Sequence, residues 1–114
     1  MKITAQEKQG TLVVELQGEL DHHAVETIRD DIDQELRRTH YAGLVMSFRN
    51  IDFMDSSALG LILGRYRTMS QHQGRMALCE VNPSLRKIFE LSGILKILPL
   101  FDSEVQALQY VKEG

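Results

Sequence analysis

Residues 43–81 read GLVMSFRNIDFMDSSALGLILGRYRTMSQHQGRMALCEV, and their alternation of patterns decides the fold. Gly43 to Phe48, with Leu44, Val45 and Met46, has the short apolar run of a buried strand. A helix is predicted from near Ser56 to about Gln71, with Gly74 as its stop signal. Met76 to Val81 is a further strand.

Working outward, Thr11 to Gln17 is a β-rich run bracketed by Gly10 and Gly18, and residues 2 to 7 can pair with it as an antiparallel hairpin through Lys8-Gln9-Gly10. Asp21 is a good N-cap for a first helix, whose Val25, Ile28, Ile32 and Leu36 form one apolar stripe ending near Thr39. Asp33 and Arg37 lie one turn apart on it, in reach of an ion pair. Downstream, Asn82-Pro83-Ser84 starts a third helix carrying Leu85, Ile88, Phe89 and Leu91 and stopping at Gly93. A short strand is expected from Leu95 to Leu98, before Pro99, then a last helix from Asp102 that buries Val105, Leu108 and Val111. The order β-β-α-β-α-β-α-β-α implies an α/β fold, a mixed and mostly parallel sheet with helices packed on it. At 114 residues the chain is read as one domain, residues 1–114.

Composition narrows the function. Thirteen Lys and Arg against sixteen Asp and Glu give a net charge of −3, and the Arg37-Arg38 pair is closely preceded by Asp30, Asp31, Asp33 and Glu35. Nucleic acid is therefore not an expected partner. No apolar run approaches the roughly 20 residues that cross a bilayer, and the N-terminus lacks a signal peptide's apolar core, so no membrane partner is expected and the location is read as cytoplasmic. The single cysteine, Cys79, cannot form an internal bridge and sits in an apolar strand as a small core residue.

Chemistry concentrates in Asn50-Ile51-Asp52-Phe53-Met54-Asp55-Ser56-Ser57-Ala58-Leu59-Gly60, where a strand passes into a helix. Two readings stay open. Asp55 or a serine can simply cap the helix, satisfying its orphan N–H groups. Alternatively a serine there accepts a phosphoryl group, because a helix start favours negative charge. That would add roughly −1.5 to −2 charges beside Asp52 and Asp55. The helix itself has Leu59, Ile62, Tyr66 and Met69 as its core-facing stripe, with Leu61 and Leu63 on other faces and Gly64 mid-helix. Either this is a docking surface or more of the helix is buried.

Catalytic and metal readings find no support in the residues. His22 and His23 are adjacent and have no further Cys or His at ligand spacing. The Gly-x-Ser-x-Gly turn of a hydrolase and the glycine-rich phosphate loops are missing. No cofactor, metal or catalytic set is expected.

Gly18-Glu19-Leu20-Asp21-His22-His23, Phe53 to Gly60 and Leu63-Gly64-Arg65-Tyr66, with Asn82-Pro83-Ser84 and Leu91-Ser92-Gly93, resemble the anti-sigma-factor antagonists of the STAS domain family over essentially the whole chain. The two histidines and Leu-Gly-Arg-Tyr are most similar to its sporulation members. The resemblance implies a regulator that is not an enzyme. Its unphosphorylated form binds an anti-sigma factor that is also a serine kinase, so releasing the sigma factor. The kinase inactivates it by phosphorylation, and a serine phosphatase restores it. The resemblance puts the acceptor at Ser56 and the partner contacts at Asp21, Asp55, Ser57, Ala58, Leu59 and Arg65, on a protein expected to be a monomer when free. The family block carries glycine where this chain has Ala58, whose methyl is expected to stand near the acceptor hydroxyl and to firm the helix start. Two other classes remain: a STAS-type module of a stress-response or sensor pathway, and a phosphocarrier or anion-binding protein using His22 or His23.

Overall fold

The computed structural model describes residues 2–113. Strands β1 (Lys2–Lys8) and β2 (Thr11–Leu20) form the expected hairpin. Its two-residue turn places both Gln9 (φ 54°) and Gly10 (φ 84°) in the left-handed region, as tight hairpin turns require. Then follow α1 (His22–Arg38), β3 (Gly43–Met54), α2 (Ser57–Gln71), β4 (Arg75–Cys79), α3 (Pro83–Ser92), a 3-10 turn (Ile94–Lys96), β5 (Leu100–Phe101) and α4 (Glu104–Lys112). The sheet order is β1-β2-β3-β4-β5, antiparallel at the first pair and parallel elsewhere. The α/β class and the element order are those expected.

Side chains alternate across the strands and separate two apolar clusters. Leu12, Val14, Leu16, Leu44, Met46 and Phe48 face Val25, Ile28 and Ile32 of α1, Ile62 of α2 and Phe89 of α3. Phe48 and Phe89 meet edge to face, ring centroids 5.5 Å apart. On the opposite side Val13, Val45, Ala77 and Cys79 pack with Ala107 and Val111 of α4. Burial pushes the Cys79 thiol up to about 12.

Several boundaries differ from the sequence-based expectation. β2 continues past Gln17 through Gly18 to Leu20, and β3 runs six residues past Phe48 to Met54. The extension is two strands wide and irregular, with register shifts after Glu15 and Gly18, so its polar residues broke the apolar pattern. β4 stops at Cys79 because Glu80 turns left-handed (φ 61°). α2 ends with Gln73, not Gly74, in the left-handed position (φ 60°); Gly74 instead gives its N–H to the Met69 carbonyl at 2.7 Å, where a Cβ would strike the Met69 side chain.

The segment expected as a strand, Leu95 to Leu98, overlaps the 3-10 turn, and pairing begins only after Pro99, whose carbonyl accepts the Leu78 N–H. α4 starts at Glu104 behind a Ser103–Gln106 capping box rather than at Asp102. That phase turns Ala107 and Val111 inward, leaves Leu108 partly buried and exposes Val105 (72%). Leu91, at the end of α3, is likewise exposed (83%). Among the described residues no helix is long and apolar enough to cross a membrane.

Candidate functional site

The long parallel ribbon of β2 and β3 carries the candidate site. Leu20 pairs with Met54, so the two residues that follow, Asp21 and Asp55, emerge side by side at the carboxyl ends of adjacent strands. Each opens a helix. Asp21 caps α1 as expected, its Oδ1 accepting the Ala24 N–H at 2.8 Å.

Asp55 serves both helices. Its Oδ1 accepts the Ser57 N–H at 2.9 Å, and its Oδ2 accepts the His22 N–H at 3.0 Å. The Ser57 N–H is the main reason the Asp55 carboxyl is held below the usual carboxylate range; desolvation, the next influence, opposes it, and the Ser57 hydroxyl and His22 add to the lowering.

The two serines differ. Ser56 occupies the N-cap position with helical backbone (φ −64°, ψ −16°), and its side chain makes no capping hydrogen bond, since Asp55 supplies it. It is exposed. Ser57 is half-buried, and its Oγ lies 3.3 Å from His22 Nδ1. The capping role therefore belongs to Asp55, and the Ser56 hydroxyl is free for chemistry.

The other expected contact residues divide. Leu59 is partly buried against the core. Ala58 has no exposed area and packs in the core cluster. Arg65 is also buried, 7% exposed, with its Nε 3.0 Å from Asp33 Oδ1 of α1. Asp33 thus pairs across helices instead of with Arg37. The Nε contact is an ion pair without hydrogen-bond geometry: among the described residues neither Arg65 Nε nor Nη1 finds a hydrogen-bond acceptor, and burial, countered by Asp33, draws the guanidinium pKa down from its ordinary value.

Leu61 belongs to the core (2% exposed), which shifts the inward face of α2 to Ala58, Leu61, Ile62, Arg65 and Met69. Leu63 (38%) and Phe53 (47%) are left exposed, in the segment and helix that bear Ser56.

Sequence reasoning missed the nearness of His22 to Ser57, because it weighed the histidines only as metal ligands or phosphoryl carriers. His22 is exposed, with Nε2 3.6 Å from Glu26 Oε1. Its signal was topological: once β2 and β3 pair in parallel, the helices after them must start together.

The STAS domain model matches residues 2–107 of the chain. The anti-sigma F factor antagonist of Paenibacillus polymyxa is 44% identical over 108 residues, 95% of this chain and 92% of that protein. The solved structure of the anti-sigma factor antagonist SpoIIAA in its unphosphorylated form is similar with a TM-score of 0.84 at 34% identity, covering 99% of this chain and 98% of that one. The structure of the Bacillus cell fate determinant SpoIIAA in the phosphorylated form gives a TM-score of 0.74 at 35% identity, with coverages of 96% and 99%.

Proposed function

The chain belongs to the STAS domain family, and from that premise we propose that it is an anti-sigma-factor antagonist of the sporulation type whose switch is Ser56. It acts in the cytoplasm. Unphosphorylated, it binds an anti-sigma factor that is also a serine kinase, and the sigma factor held there is released. Phosphorylation of Ser56 ends the interaction, and a serine phosphatase reverses it. The chain is a ligand and a substrate; the base and nucleotide for phosphoryl transfer come from the kinase.

The observation that carries this reading is the uncapped, exposed hydroxyl of Ser56 beside a carboxylate that already does the capping. Phosphorylation adds roughly −1.5 to −2 charges at neutral pH. Asp55 immediately precedes Ser56, Asp52 lies three residues before Asp55 in β3, and Asp21 stands beside Asp55, so the modified helix start becomes strongly anionic. A partner surface that accepts the neutral serine against Phe53 and Leu59 then meets a hydrated dianion. The effect is local, so the backbone needs no rearrangement. Asp21, Asp55, Ser57 and Leu59 form the contact rim. Ala58 and Arg65 contribute from within, Ala58 by packing α2 and Arg65 by fixing it against α1.

The test is incubation with ATP and the cognate anti-sigma serine kinase, followed by mass-spectrometric mapping. One phosphoryl group on Ser56, missing in Ser56→Ala, is the expected result. A protein that binds the kinase yet takes no phosphate would reduce Ser56 to a surface residue. Recognition instead by a stress-response kinase would move the module to that pathway.

A further inference from the structure

Two serines stand next to each other at the start of α2, and a kinase that grips this loop meets both. We propose that His22 selects between them: it engages the Ser57 hydroxyl, so that Ser56 alone is offered for phosphoryl transfer. The inference rests on the reading of Ser56 as the acceptor and adds the device that makes the choice.

The contact is built rather than incidental. Asp55 Oδ2 accepts the His22 N–H at 3.0 Å, while the same carboxylate's Oδ1 accepts the Ser57 N–H at 2.9 Å. One carboxylate therefore fixes the backbone of both residues, and the ring of the first lands 3.3 Å from the hydroxyl of the second. Glu26 Oε1 lies one turn along α1, 3.6 Å from Nε2, and we take the ring as neutral with its proton on Nε2. Nδ1 then offers a lone pair, and the Ser57 O–H donates to it.

Phosphoryl transfer forms a bond from the serine oxygen to the γ-phosphorus and breaks the bond from that phosphorus to the bridging oxygen of ADP. The serine proton passes to the kinase's own base. For Ser57 the hydroxyl is already engaged, within reach of the Asp55 carboxylate and 3.3 Å from His22 Nδ1, and the residue is half-buried. To react, Ser57 must first break this hydrogen bond and turn outward. Ser56 has no such step, since its side chain caps nothing and is exposed.

The test uses the kinase and ATP on Ser56→Ala, on Ser56→Ala/His22→Ala and on Ser56→Ala/His22→Asn, beside wild type. Ser56→Ala should stay nearly unmodified. Adding His22→Ala should raise phosphorylation of Ser57 about fivefold, the factor that one net hydrogen bond supplies. Asn, which restores an acceptor at that position, should bring it back toward the single variant. Wild type modified on Ser56 with Ser57 silent in all three variants overturns the selection by His22 and leaves the Ser56 reading standing. Wild type modified on Ser57, or on neither serine, overturns the Ser56 reading itself. A measurement without kinase checks the contact directly: the 15N shift of His22 Nδ1 should move in Ser57→Ala, and an unmoved signal removes the basis of the proposal.

Discussion

Helices α1 and α2 leave neighbouring strands at the same end of the sheet, pack against each other, and obey different rules. α1 is what local physics asks of a surface helix. Its core face is a clean stripe of Val25, Ile28 and Ile32, Asp21 caps its start, and Arg37 and Arg38 sit in its last turn where the dipole favours cations. α2 breaks most of those preferences. Its N-cap residue, Ser56, does not cap; a charged Arg65 is buried; Leu63 is exposed; and Gly60 and Gly64 lie within it. Neither glycine is required by its surroundings, because a Cβ built on either would meet open space. What stability alone would remove, α2 keeps. Such departures mark where a helix answers to a partner as well as to its own core.

The largest expected effect tests whether Arg65 belongs to the fold or to the partner surface. Asp33→Ala leaves that guanidinium buried without its counter-charge. It should cost about 3 kcal/mol, the low end for a broken buried pair because Asp33 keeps part of its surface in water. The double variant Asp33→Leu/Arg65→Met should recover most of that loss in urea unfolding. A single-variant cost below about 0.5 kcal/mol, typical of surface pairs, would return Arg65 to the role of a partner contact.

Next come the glycines. Gly60→Ala and Gly64→Ala should each stabilise the protein by about 0.5–1 kcal/mol, since Ala is the better helix former and the space is open. The same changes should weaken binding to the anti-sigma factor, measured by calorimetry, because each raises the surface a partner approaches. Stabilisation with undiminished affinity would dissolve the contrast between the helices.

Acid provides a finer probe of the carboxylate that joins them. The Asp55 pKa is depressed in the folded chain, so its contribution is present above the ordinary carboxylate value of about 3.9 and fades as pH falls through the lower folded value. Asp55→Asn should therefore flatten the decline of Tm below about pH 4. A decline identical to wild type would show that the carboxylate's hydrogen bonds do not favour its charged form.

Legibility in the sequence followed the same divide. α1 was readable almost to the residue, because its periodicity, cap and last turn agree. The core face of α2 was misassigned at Leu61, because a helix apolar on several sides has no single phase to read. The site's central residues, Asp21, Asp55 and Ser56, were visible as polar residues at helix starts. Their grouping was not, because it depends on β2 and β3 running beyond Gln17 and Phe48 as a polar, irregular ribbon that periodicity does not detect. The double use of Asp55, the seat of His22 over Ser57 and the Asp33–Arg65 pair all cross between elements, and such contacts leave no mark on local pattern.

The smallest expected effect is the most telling of the set. Asp21 and Ser56 occupy equivalent N-cap positions on the two helices, yet only Asp21 accepts a capping bond, from the Ala24 N–H at 2.8 Å. Asp21→Ala should then cost about 1 kcal/mol, the usual worth of an N-cap. Ser56→Ala should change stability by no more than about 0.3 kcal/mol, as for a surface substitution that breaks nothing. Urea unfolding of the two variants beside wild type measures both. A loss near 1 kcal/mol in Ser56→Ala would mean that the hydroxyl caps α2 in solution and that phosphorylation must first uncap the helix. A loss near zero means that the fold has no use for this oxygen. The proposed phosphorylation of Ser56 then costs the fold no cap, because Asp55 already supplies it.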